Sequence, residues 1–443
     1  MKKSKLNIAL SIFIAVLIAS LTFYSCSEKK EENVKGEEVT LTFWHSLVSS
    51  SVPALEQLLQ KFEDENPGIK IKAQYIPSGN AMLYKLVTAV QSGTTPDVSW
   101  IYAGSYKDLA EADAIYPMDY FINGDNGLSE EELNDFYEAL YPLSTWKDVR
   151  YSLPMEATNF GLVYNKMMFE DAGLTHPPRD WKEFYEYSKI LSVDKNNDGK
   201  LERAGVLLPV HPAAGALGGF MVWQWVPFLW QAGGYVVNEE QTQALFNSDA
   251  GVQALELWQK IYTELNLGTF TADHSVAFAS GLAAMMFDGP WNLPQYEETL
   301  KNIDWAVAPL PKGPAQKATN AGGEFLVIFK DTEYPDEAWQ FVKWIIKPET
   351  QAFWSMKSGY LPVRKSVLDV PEYQEFLNQN PYLKVYVEQM EYAKARRPLD
   401  YHGIQIDKLI AEAIEEATIG NMNAREALNK AAKEGNKLLQ QNL

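Results

Sequence analysis

The sequence predicts an α/β fold built as two domains, and two observations support this prediction. The first is length, because a chain of 443 residues exceeds what one hydrophobic core usually serves. The second is the apolar pattern, which has period two over 39–44 and 69–75, helical spacing over 55–62 and 83–90, and an apolar run over 98–101. Strand, helix, strand, helix, strand at this spacing predicts a largely parallel sheet covered by helices.

Two tryptophans lie where such a sheet would bind a ligand. Trp44 and Trp100 fall at or near the ends of the first and third predicted strands. Ligands of open α/β sheets bind beyond the carboxyl ends of the strands. These positions therefore favour a cleft with aromatic walls.

Composition and charge exclude one class of partner. Hydrophobic residues make up 46% of the chain and charged residues 22%, as in ordinary globular proteins. The formal net charge of -19 argues against nucleic acid, which needs a basic protein face. An acidic excess also favours a soluble monomer, and the absence of internal repeats disfavours an adhesion or scaffold module.

The N-terminus is typical of a secreted chain. Residues 1–25 join a basic start to an apolar stretch and predict a signal peptide. Cys26 is the single cysteine, so no intramolecular disulfide can form. Its place after the apolar run and before the polar linker 26–38 resembles a lipoprotein acylation site, which predicts a lipid anchor in a membrane. The alternative, an uncleaved membrane helix, is weakened by the short run and its polar residues.

The stretch 278–292 combines a small-residue turn, a short apolar strand and a Gly-Pro step before Trp291. This arrangement would hold a large flat side chain at the exit of a strand, where it could form one wall of a cleft. The alternative is that Trp291 is a core residue, because most tryptophans are largely buried. Asp288, three residues earlier, is a second candidate ligand contact.

Two further segments contain polar or aromatic candidates. Glu156 and Asn159 stand between apolar residues in 152–166, which reads as extended chain crossing between lobes. The alternative for Glu156 is a solvated surface acid. Trp223 and Trp225 belong to a tryptophan-rich segment that predicts either a helix buried on several sides or a platform for a flat ligand, with at least one of the two in contact.

Asp194, Asn196 and Asp198 match the first half of a calcium-binding loop, with a glycine at its sixth position. The glutamate that closes such a loop is missing, because Gly205 stands at the twelfth position. A structural calcium site here would need a remote carboxylate, and an ordinary Asn-Asp-Gly turn is the alternative. No cofactor is expected to be required.

Catalytic signatures are absent from the sequence, so we expect a protein that is not an enzyme. There is no His-Glu-x-x-His motif, nucleophile elbow, phosphate-binding loop or dinucleotide fingerprint. A carboxylate pair for glycoside hydrolysis stays open, because separation in space is invisible in a sequence. Aromatic residues make up 13% of the chain, and rings beside carboxylates and amides suit the apolar faces and hydroxyl edges of a neutral carbohydrate.

The ordered set of motifs resembles the extracellular solute-binding proteins of ABC importers, in the maltodextrin-binding and glycerol-3-phosphate-binding branch. The resemblance covers nearly the whole mature chain. Its parts are 41–46, 62–67, 95–98, 153–154, 164–166, 231–234, 281–291 and 359–362.

The resemblance implies ligand contacts residue by residue. Maltodextrin-binding relatives imply that Trp291 stacks on a sugar ring and that Glu156 contacts the ligand. Glycerol-3-phosphate-binding relatives imply contacts near Gly322, Gly323 and Tyr360, and at a late arginine. The candidate ligand residues are Trp44, Ser46, Asn80, Trp100, Glu156, Asn159, Trp223, Trp225, Asp288, Trp291, Gly323, Tyr360 and Arg397, with Arg396 as the alternative arginine. The acid that those relatives carry after the third strand is missing from 100–104, which favours a sugar.

For the whole molecule, the resemblance implies a two-lobed α/β fold of the periplasmic-binding-protein type II, with discontinuous lobes and a central ligand cleft. We expect hinge crossings near Arg150, Ala308 and Lys347. The predicted lobes are 39–149 plus 309–347 and 150–308 plus 348–443.

The implied function is that of an extracytoplasmic substrate-binding protein, in the periplasm or at the cell surface. It would bind a mono- or oligosaccharide and deliver it to the membrane permease subunits of an ABC importer. The alternatives are binding of sn-glycerol 3-phosphate or a glycerophosphodiester and, less favoured, a secreted glycoside-active enzyme.

Overall fold

The computed structural model describes residues 38–77, 80–103, 106–210, 218–269, 274–395 and 403–440. Thr40–Leu443 forms one unit, and Met1–Val39 forms another, of which only Glu38 and Val39 are described. The predicted signal peptide and Cys26 therefore lie outside the described residues. Nowhere in the described ranges is a helix both long enough and apolar enough to cross a bilayer.

Strands and helices alternate over 39–102, and runs of several strands or several helices follow. The strands are β1 (Val39–His45), β2 (Ile69–Tyr75), β3 (Val98–Tyr102), β4 (Thr145–Trp146), β5 (Val149–Arg150), β6 (Leu153–Pro154), β7 (Gly161–Asn165), β8 (Met285–Asp288), β9 (Trp305–Ala308), β10 (Thr319–Ala321), β11 (Glu324–Ile328) and β12 (Ala393–Ala395). The helices are α1 (Val52–Glu65), α2 (Asn80–Ser92), α3 (Lys107–Glu111), α4 (Met118–Ile122), α5 (Glu130–Asn134), α6 (Lys166–Asp171), α7 (Trp181–Leu191), α8 (Gly218–Gln231), α9 (Asp249–Glu264), α10 (His274–Ala279), α11 (Leu293–Thr299), α12 (Pro335–Ile345), α13 (Pro348–Ser358), α14 (Pro371–Gln379), α15 (Pro381–Gln389), α16 (Gly403–Thr418) and α17 (Ala424–Leu439).

The first sheet has five strands in the order β2-β1-β3-β11-β6. β1 and β3 run parallel, with Phe43 opposite Val98, as the strand-helix-strand pattern predicts. β11 runs antiparallel to both β3 and β6. The prediction of a largely parallel sheet therefore fails on this side, because β11 comes from a distant part of the chain and no local pattern signals its direction.

The second sheet has three strands in the order β8-β7-β9, and both pairings are antiparallel. Gly161 lies opposite Asp288 in this sheet. Helices α8, α9, α16 and α17 pack on one another, and Phe184 and Phe228 contact Phe287 of β8 at ring-centroid distances of 5.4 and 5.5 Å. These aromatic contacts join α7 and α8 to the second sheet.

Helix α1 shows how the amphipathic pattern is used. Leu55, Leu58 and Phe62 are buried on one face. Phe62 meets Phe341 of α12 edge to face at 5.0 Å, and α13 packs on α1 as well. Because burial of each large apolar side chain stabilises by about 1.5–3 kcal/mol, this face holds α12 and α13 in place.

The two sheets draw on different segments of the chain. The first uses strands from 39–102 and 324–328 plus β6, and the second uses strands from 161–165, 285–288 and 305–308. β6 joins the first sheet although it follows the predicted hinge at Arg150. The lobe boundaries stay predictions.

Candidate functional site

Two glutamates meet where β6 and β11 end. Glu156 follows β6, and Glu324 is the first residue of β11. The carbonyl of Glu324 accepts the backbone N–H groups of Met155 at 2.8 Å and Glu156 at 3.4 Å. Glu156 is fully buried, and Glu324 is 8% exposed. We call Glu156 and Glu324 the acid pair.

Both oxygens of Glu156 accept hydrogen bonds from indole groups. Trp100 of β3 donates from Nε1 to Oε1 at 3.0 Å, and Trp354 of α13 donates from Nε1 to Oε2 at 2.7 Å. Both tryptophans are buried. The alternative that Glu156 is a solvated surface acid is therefore wrong, and its carboxylate is a buried acceptor.

Burial sets the protonation state of the acid pair. Desolvation raises the pKa of Glu156 to about 7, although the hydrogen bonds from Glu324, Trp100 and Trp354 oppose that rise. The pKa of Glu324 is raised well above its usual range by burial first, and then by the charge of Glu156 and the hydrogen bond to it. The pair therefore holds at least one proton at neutral pH. Tyr360 lies beside both carboxyls, and burial with their charges raises the pKa of its phenol.

Two glycines connect the acid pair to a group of aromatic rings. Gly323 has a φ of +139°, and a Cβ there would lie 2.1 Å from the carbonyl oxygen of Glu156. A Cβ at Gly322 would lie 2.7 Å from Cζ2 of Trp223. Thr158 and Gly322 exchange backbone hydrogen bonds of 3.0 and 2.8 Å. Side chains at either glycine would push these groups apart.

Phe160, Trp223 and Trp291 form the aromatic cluster. Their ring centroids are 4.2 Å apart for Phe160 and Trp223, 5.9 Å for Phe160 and Trp291, and 6.0 Å for Trp223 and Trp291. Trp223 and Trp291 are partly exposed, and Phe220, which is 43% exposed, extends the cluster. Partly exposed rings held by their neighbours can pack on the apolar face of a ligand.

The Gly-Pro step holds Trp291 as the sequence predicts, at the exit of a strand. β8 ends at Asp288, and Trp291 lies in a 3-10 turn over 290–292. A Cβ at Gly289 would come within 1.8 Å of the Trp291 ring, so the ring folds back over this glycine. Gly359 packs in the same way on Pro290, where a Cβ would lie 2.5 Å from the carbonyl oxygen. The loop that contains Tyr360 is thereby held next to this turn.

Asp288 organises this turn. Its Oδ1 accepts the N–H of Gly289 at 2.8 Å, and its Oδ2 accepts Nδ2 of Asn292 at 2.9 Å and the hydroxyl of Tyr296. Burial raises the pKa of the Asp288 carboxyl, and these hydrogen bonds oppose the rise. A ligand role for Asp288 stays a prediction, and in this structure its carboxylate binds the residues that position Trp291.

Two other candidates are enclosed in the protein. Trp225 is fully buried in α8, and its indole nitrogen has no hydrogen-bond partner among the described residues. Asn159 is fully buried, donates from Nδ2 to the carbonyl of Tyr386 at 2.8 Å and accepts from Nε2 of Gln389 at 3.0 Å. Of the two candidate tryptophans in α8, Trp223 is the one with exposed surface for a ligand.

Trp44 and Ser46 lie at the end of β1. Trp44 is nearly buried, with Nζ of Lys85 4.8 Å from its ring centroid. Ser46 donates from its hydroxyl to the carbonyl of Ile76 at 2.8 Å. Asn80 starts α2, and its side chain, like all of Arg396 and Arg397, falls outside what the structure describes.

The oxygens of the predicted calcium loop accept backbone hydrogen bonds. Asp194 accepts the N–H groups of Asp198 at 3.2 Å and Gly199 at 2.9 Å, and Asn196 accepts that of Asp198 at 3.0 Å. Within the described ranges, no group of three or more His, Cys, Asp or Glu residues could hold a metal ion. The geometry is that of a polar turn, and calcium binding stays a prediction.

A surface depression of about 510 Å³ lies apart from these residues. It is formed where α7 begins, beside Asp180 and Trp181, and by the turn at Lys312–Pro314. None of the candidate ligand residues lines it. The acid pair and the aromatic cluster therefore remain the candidate site.

Sequence reasoning missed three members of this site. Glu324 begins an apolar strand, and the sequence around Phe160 is typical of a core residue. Trp354 lies in a helix and belongs to no recognisable motif. The alternation of β3 and β11 could have placed Glu324 on the face of Tyr102, since the two are paired in register. That argument needs the pairing of β11, which the local sequence does not contain.

Fold and site together define a two-lobed α/β binding protein. The family described as bacterial extracellular solute-binding protein matches residues 48–352, and the chain belongs to this family. It is a solute-binding protein of an ABC transporter. Members of this class are binding proteins, in agreement with the absence of catalytic motifs from the sequence.

Three relatives illustrate the similarity. The cyclic α-maltosyl-1,6-maltose binding protein of Arthrobacter globiformis superposes with a TM-score of 0.78 at 27% identity, over 91% of this chain and 99% of that one. An ABC transporter solute-binding protein of Thermotoga lettingae TMO, bound with α-D-tagatose, superposes with a TM-score of 0.74 at 25% identity, over 90% and 100%. The sn-glycerol-3-phosphate-binding periplasmic protein UgpB of Shigella flexneri serotype 5b (strain 8401) is 26% identical over 426 residues, which is 90% of this chain and 92% of that protein.

Proposed function

We propose that this protein binds a neutral carbohydrate, a mono- or oligosaccharide, between its lobes and delivers it unchanged to the permease subunits of an ABC importer. The observation that carries the proposal is the direct connection, through Gly322 and Gly323, between the aromatic cluster and the acid pair. Rings suit the C–H faces of a pyranose, and buried carboxyl oxygens suit its hydroxyl edge.

The relatives support a carbohydrate. The Arthrobacter protein is named for a cyclic maltosyl-maltose, and the Thermotoga protein was solved with α-D-tagatose. Both superpose over at least 90% of this chain. A ligand of that class would stack on Trp223 and Trp291 and turn its hydroxyls toward Glu156 and Glu324.

The acid pair argues against glycoside hydrolysis. In glycosidases, the two catalytic carboxyl groups stand about 5–9.5 Å apart on either side of the scissile bond. Here the carboxyls of Glu156 and Glu324 lie next to each other, and two indoles occupy both oxygens of Glu156. Neither carboxylate is free to attack or protonate a glycosidic bond from the opposite side, so the acid pair does not supply the two carboxyl groups of a glycosidase.

The N-terminal sequence supports a location outside the cytoplasm, in the periplasm or at the cell surface. Residues 1–25 would direct export, and a lipid on Cys26 would tether the protein to a membrane through the linker 26–38. A monomer on such a tether would meet its permease by diffusion along the membrane. Replacing Cys26 by Ser should release the protein from the membrane fraction, and retention of that variant would contradict the anchor.

A glycerol phosphate or glycerophosphodiester is the second candidate ligand, and one observation favours it. Lys394 of β12 pairs in register with Asn320 of β10, whose Nδ2 donates to the carbonyl of Trp223 at 3.1 Å. Burial lowers the pKa of Lys394, as expected for a cation withdrawn from water. A lysine beside Asn320 would suit a phosphate, and UgpB of Shigella flexneri is named for sn-glycerol 3-phosphate.

Thermal unfolding with a ligand panel tests the proposal. The panel is maltotriose, cyclic maltosyl-maltose, D-tagatose, sn-glycerol 3-phosphate and glycerophosphocholine. A ligand at 100 times its Kd stabilises the folded state by about 2.7 kcal/mol, so a binder raises the melting temperature measurably. We expect a rise with at least one carbohydrate, which is then recovered intact. A rise with the phosphates alone would support the second candidate, and consumption of a carbohydrate would support an enzyme.

A further inference from the structure

Glu324 is a buried carboxyl that no motif identifies. It stands opposite Tyr102 in the antiparallel pairing of β11 and β3, at the carboxyl end of β3 where α/β sheets bind ligands. Its Oε2 is buried and meets no N–H or O–H donor among the described residues. A buried carboxyl oxygen that receives no hydrogen bond needs either a proton of its own or a ligand.

Three titratable groups surround Glu324. Glu156 faces it from the segment after β6, and Tyr360 and Tyr102 lie nearby on the loop after α13 and on β3. No lysine, arginine or histidine of the described ranges forms an ion pair with either member of the acid pair. Nothing in this part of the chain offsets two negative charges.

The hydrogen bonds determine which member carries the proton. Glu156 accepts an indole N–H at each of its oxygens, at 3.0 and 2.7 Å, so it acts as the ionised acceptor. Two ionised carboxylates in contact and out of water repel each other, and such a pair keeps one proton. Glu324 therefore holds that proton and donates it to Glu156.

We propose that Glu324 is a specificity-determining ligand contact, a neutral carboxylic acid that donates to Glu156 and offers its other oxygen to a hydroxyl group of an uncharged ligand. This inference rests on the proposed carbohydrate function. The acid pair then carries a single negative charge, and a phosphate placed against it is repelled. The site thereby selects hydroxyl-bearing neutral ligands over phosphate esters at this position.

The backbone brings the aromatic cluster and the acid pair next to each other. Gly322 touches the ring of Trp223, Gly323 touches the carbonyl of Glu156, and Glu324 is the next residue. Because neither glycine has a side chain, nothing on this strand separates the aromatic cluster from the acid pair. A ring stacked on Trp223 thus presents its edge to Glu324.

The first test is made without ligand. The pKa of Glu324 is higher in the folded protein than in the unfolded chain. The stability that Glu324 contributes is therefore fully present at low pH, and it is lost as the pH rises from the ordinary glutamate range toward the folded pKa. Between about pH 5 and about pH 9, the melting temperature of the full chain should fall by at least about 2 °C more than that of Glu324→Gln, which cannot ionise. Glu56→Gln, on the exposed face of α1, is the matched control and should follow the unmodified protein. Parallel pH profiles for the protein and Glu324→Gln would overturn the assignment of the proton.

The second test measures ligand selection by calorimetry, with maltotriose as the neutral probe and sn-glycerol 3-phosphate as the charged probe. We expect Glu324→Ala to weaken maltotriose binding at least about tenfold, as for loss of one buried hydrogen bond. Glu324→Gln restores a carbonyl oxygen and an N–H donor and should recover most of that loss. Because Glu324 is neutral in this assignment, Glu324→Gln leaves the charge of the acid pair unchanged and should bind sn-glycerol 3-phosphate no more tightly than the unmodified protein does. Equal maltotriose affinity for Glu324→Ala and the unmodified protein, with both folded, would overturn the contact.

The two tests separate this inference from the proposed function. If no carbohydrate binds and sn-glycerol 3-phosphate binds tightly to the unmodified protein, both the carbohydrate function and the selection against phosphate are wrong. If carbohydrate binds but the pH profiles are parallel, the function stands and the neutral Glu324 is wrong.

Discussion

Trp354 donates its indole N–H to Glu156 at 2.7 Å, and both side chains are buried. This hydrogen bond joins helix α13 to the segment that follows β6. Trp100 occupies the other oxygen of the same carboxylate. Through these two hydrogen bonds, the buried carboxylate of Glu156 links β3 and α13 at the start of the candidate site.

Glu156→Gln should destabilise the protein by about 1–3 kcal/mol. A glutamine offers one acceptor oxygen, so one of the two indole N–H groups would face the amide NH₂ and lose its partner in a buried site. Denaturant unfolding followed by tryptophan fluorescence measures the change. Glu56→Gln is the control, and its free energy of unfolding should stay within about 0.5 kcal/mol of the original. Equal stabilities for the two variants would show that the indole contacts contribute nothing.

Gly323→Ala should be far more destabilising than Gly68→Ala. Both glycines have positive φ, +139° and +105°, but a Cβ at Gly323 would lie 2.1 Å from the carbonyl of Glu156, whereas nothing lies within 4 Å at Gly68. Gly68→Ala should therefore cost about 1 kcal/mol from backbone strain alone. Gly323→Ala must also move the acid pair, and a cost above about 3 kcal/mol is expected. Similar melting temperatures for the two variants would contradict the close packing at Gly323.

Trp291→Ala and Trp223→Ala should each weaken carbohydrate binding by about 1–3 kcal/mol, as expected for aromatic anchors of a ligand site. Isothermal titration calorimetry with the carbohydrate that raises the melting temperature measures the loss. Trp146→Ala is the matched control, because this partly exposed tryptophan lies in the β4–β5 hairpin between Lys107 and Lys147. If folded Trp291→Ala binds as tightly as Trp146→Ala, Trp291 belongs to the core.

Protonation of His45 should destabilise the folded protein at acid pH. Burial lowers the pKa of His45, whose ring packs beside Phe43 and Tyr75 at centroid distances of 6.0 and 5.9 Å. The unfolded chain therefore binds a proton more readily, so this stability is present above the unfolded pKa of about 6.5 and is lost as pH falls toward the folded pKa. His45→Phe should remove that loss, which melting curves at about pH 7.5 and about pH 5 can measure. If His45→Phe loses as much stability at acid pH as the unmodified protein does, groups other than His45 cause that loss.

The local pattern predicted a substantial part of the fold. The alternating and helical apolar periods of 39–101 correspond to β1, α1, β2, α2 and β3, because each element buries one face against its neighbours. The turn that holds Trp291 was also predictable, since Gly-Pro after a short apolar strand leaves the chain few conformations. Both signals are local in the sequence.

The rest of the candidate site depends on contacts between distant segments. Glu156 could be read as a surface acid until the structure placed it beside Glu324, Trp100 and Trp354, which come from three different elements. Trp223 and Trp225 are two residues apart and point to different sides of α8, so which of them is exposed depends on the helices packed around it. The sequence by itself does not show which distant segments pack beside these residues.

Calorimetric titration of the full chain with maltotriose, cyclic maltosyl-maltose and D-tagatose, followed by recovery of the ligand, tests whether the protein binds a carbohydrate and releases it intact. We expect saturable binding of at least one of these carbohydrates, a matching rise in melting temperature, and recovery of the carbohydrate unchanged. Absence of binding to all three, together with tight binding of sn-glycerol 3-phosphate, would contradict it, as would conversion of the carbohydrate into a product.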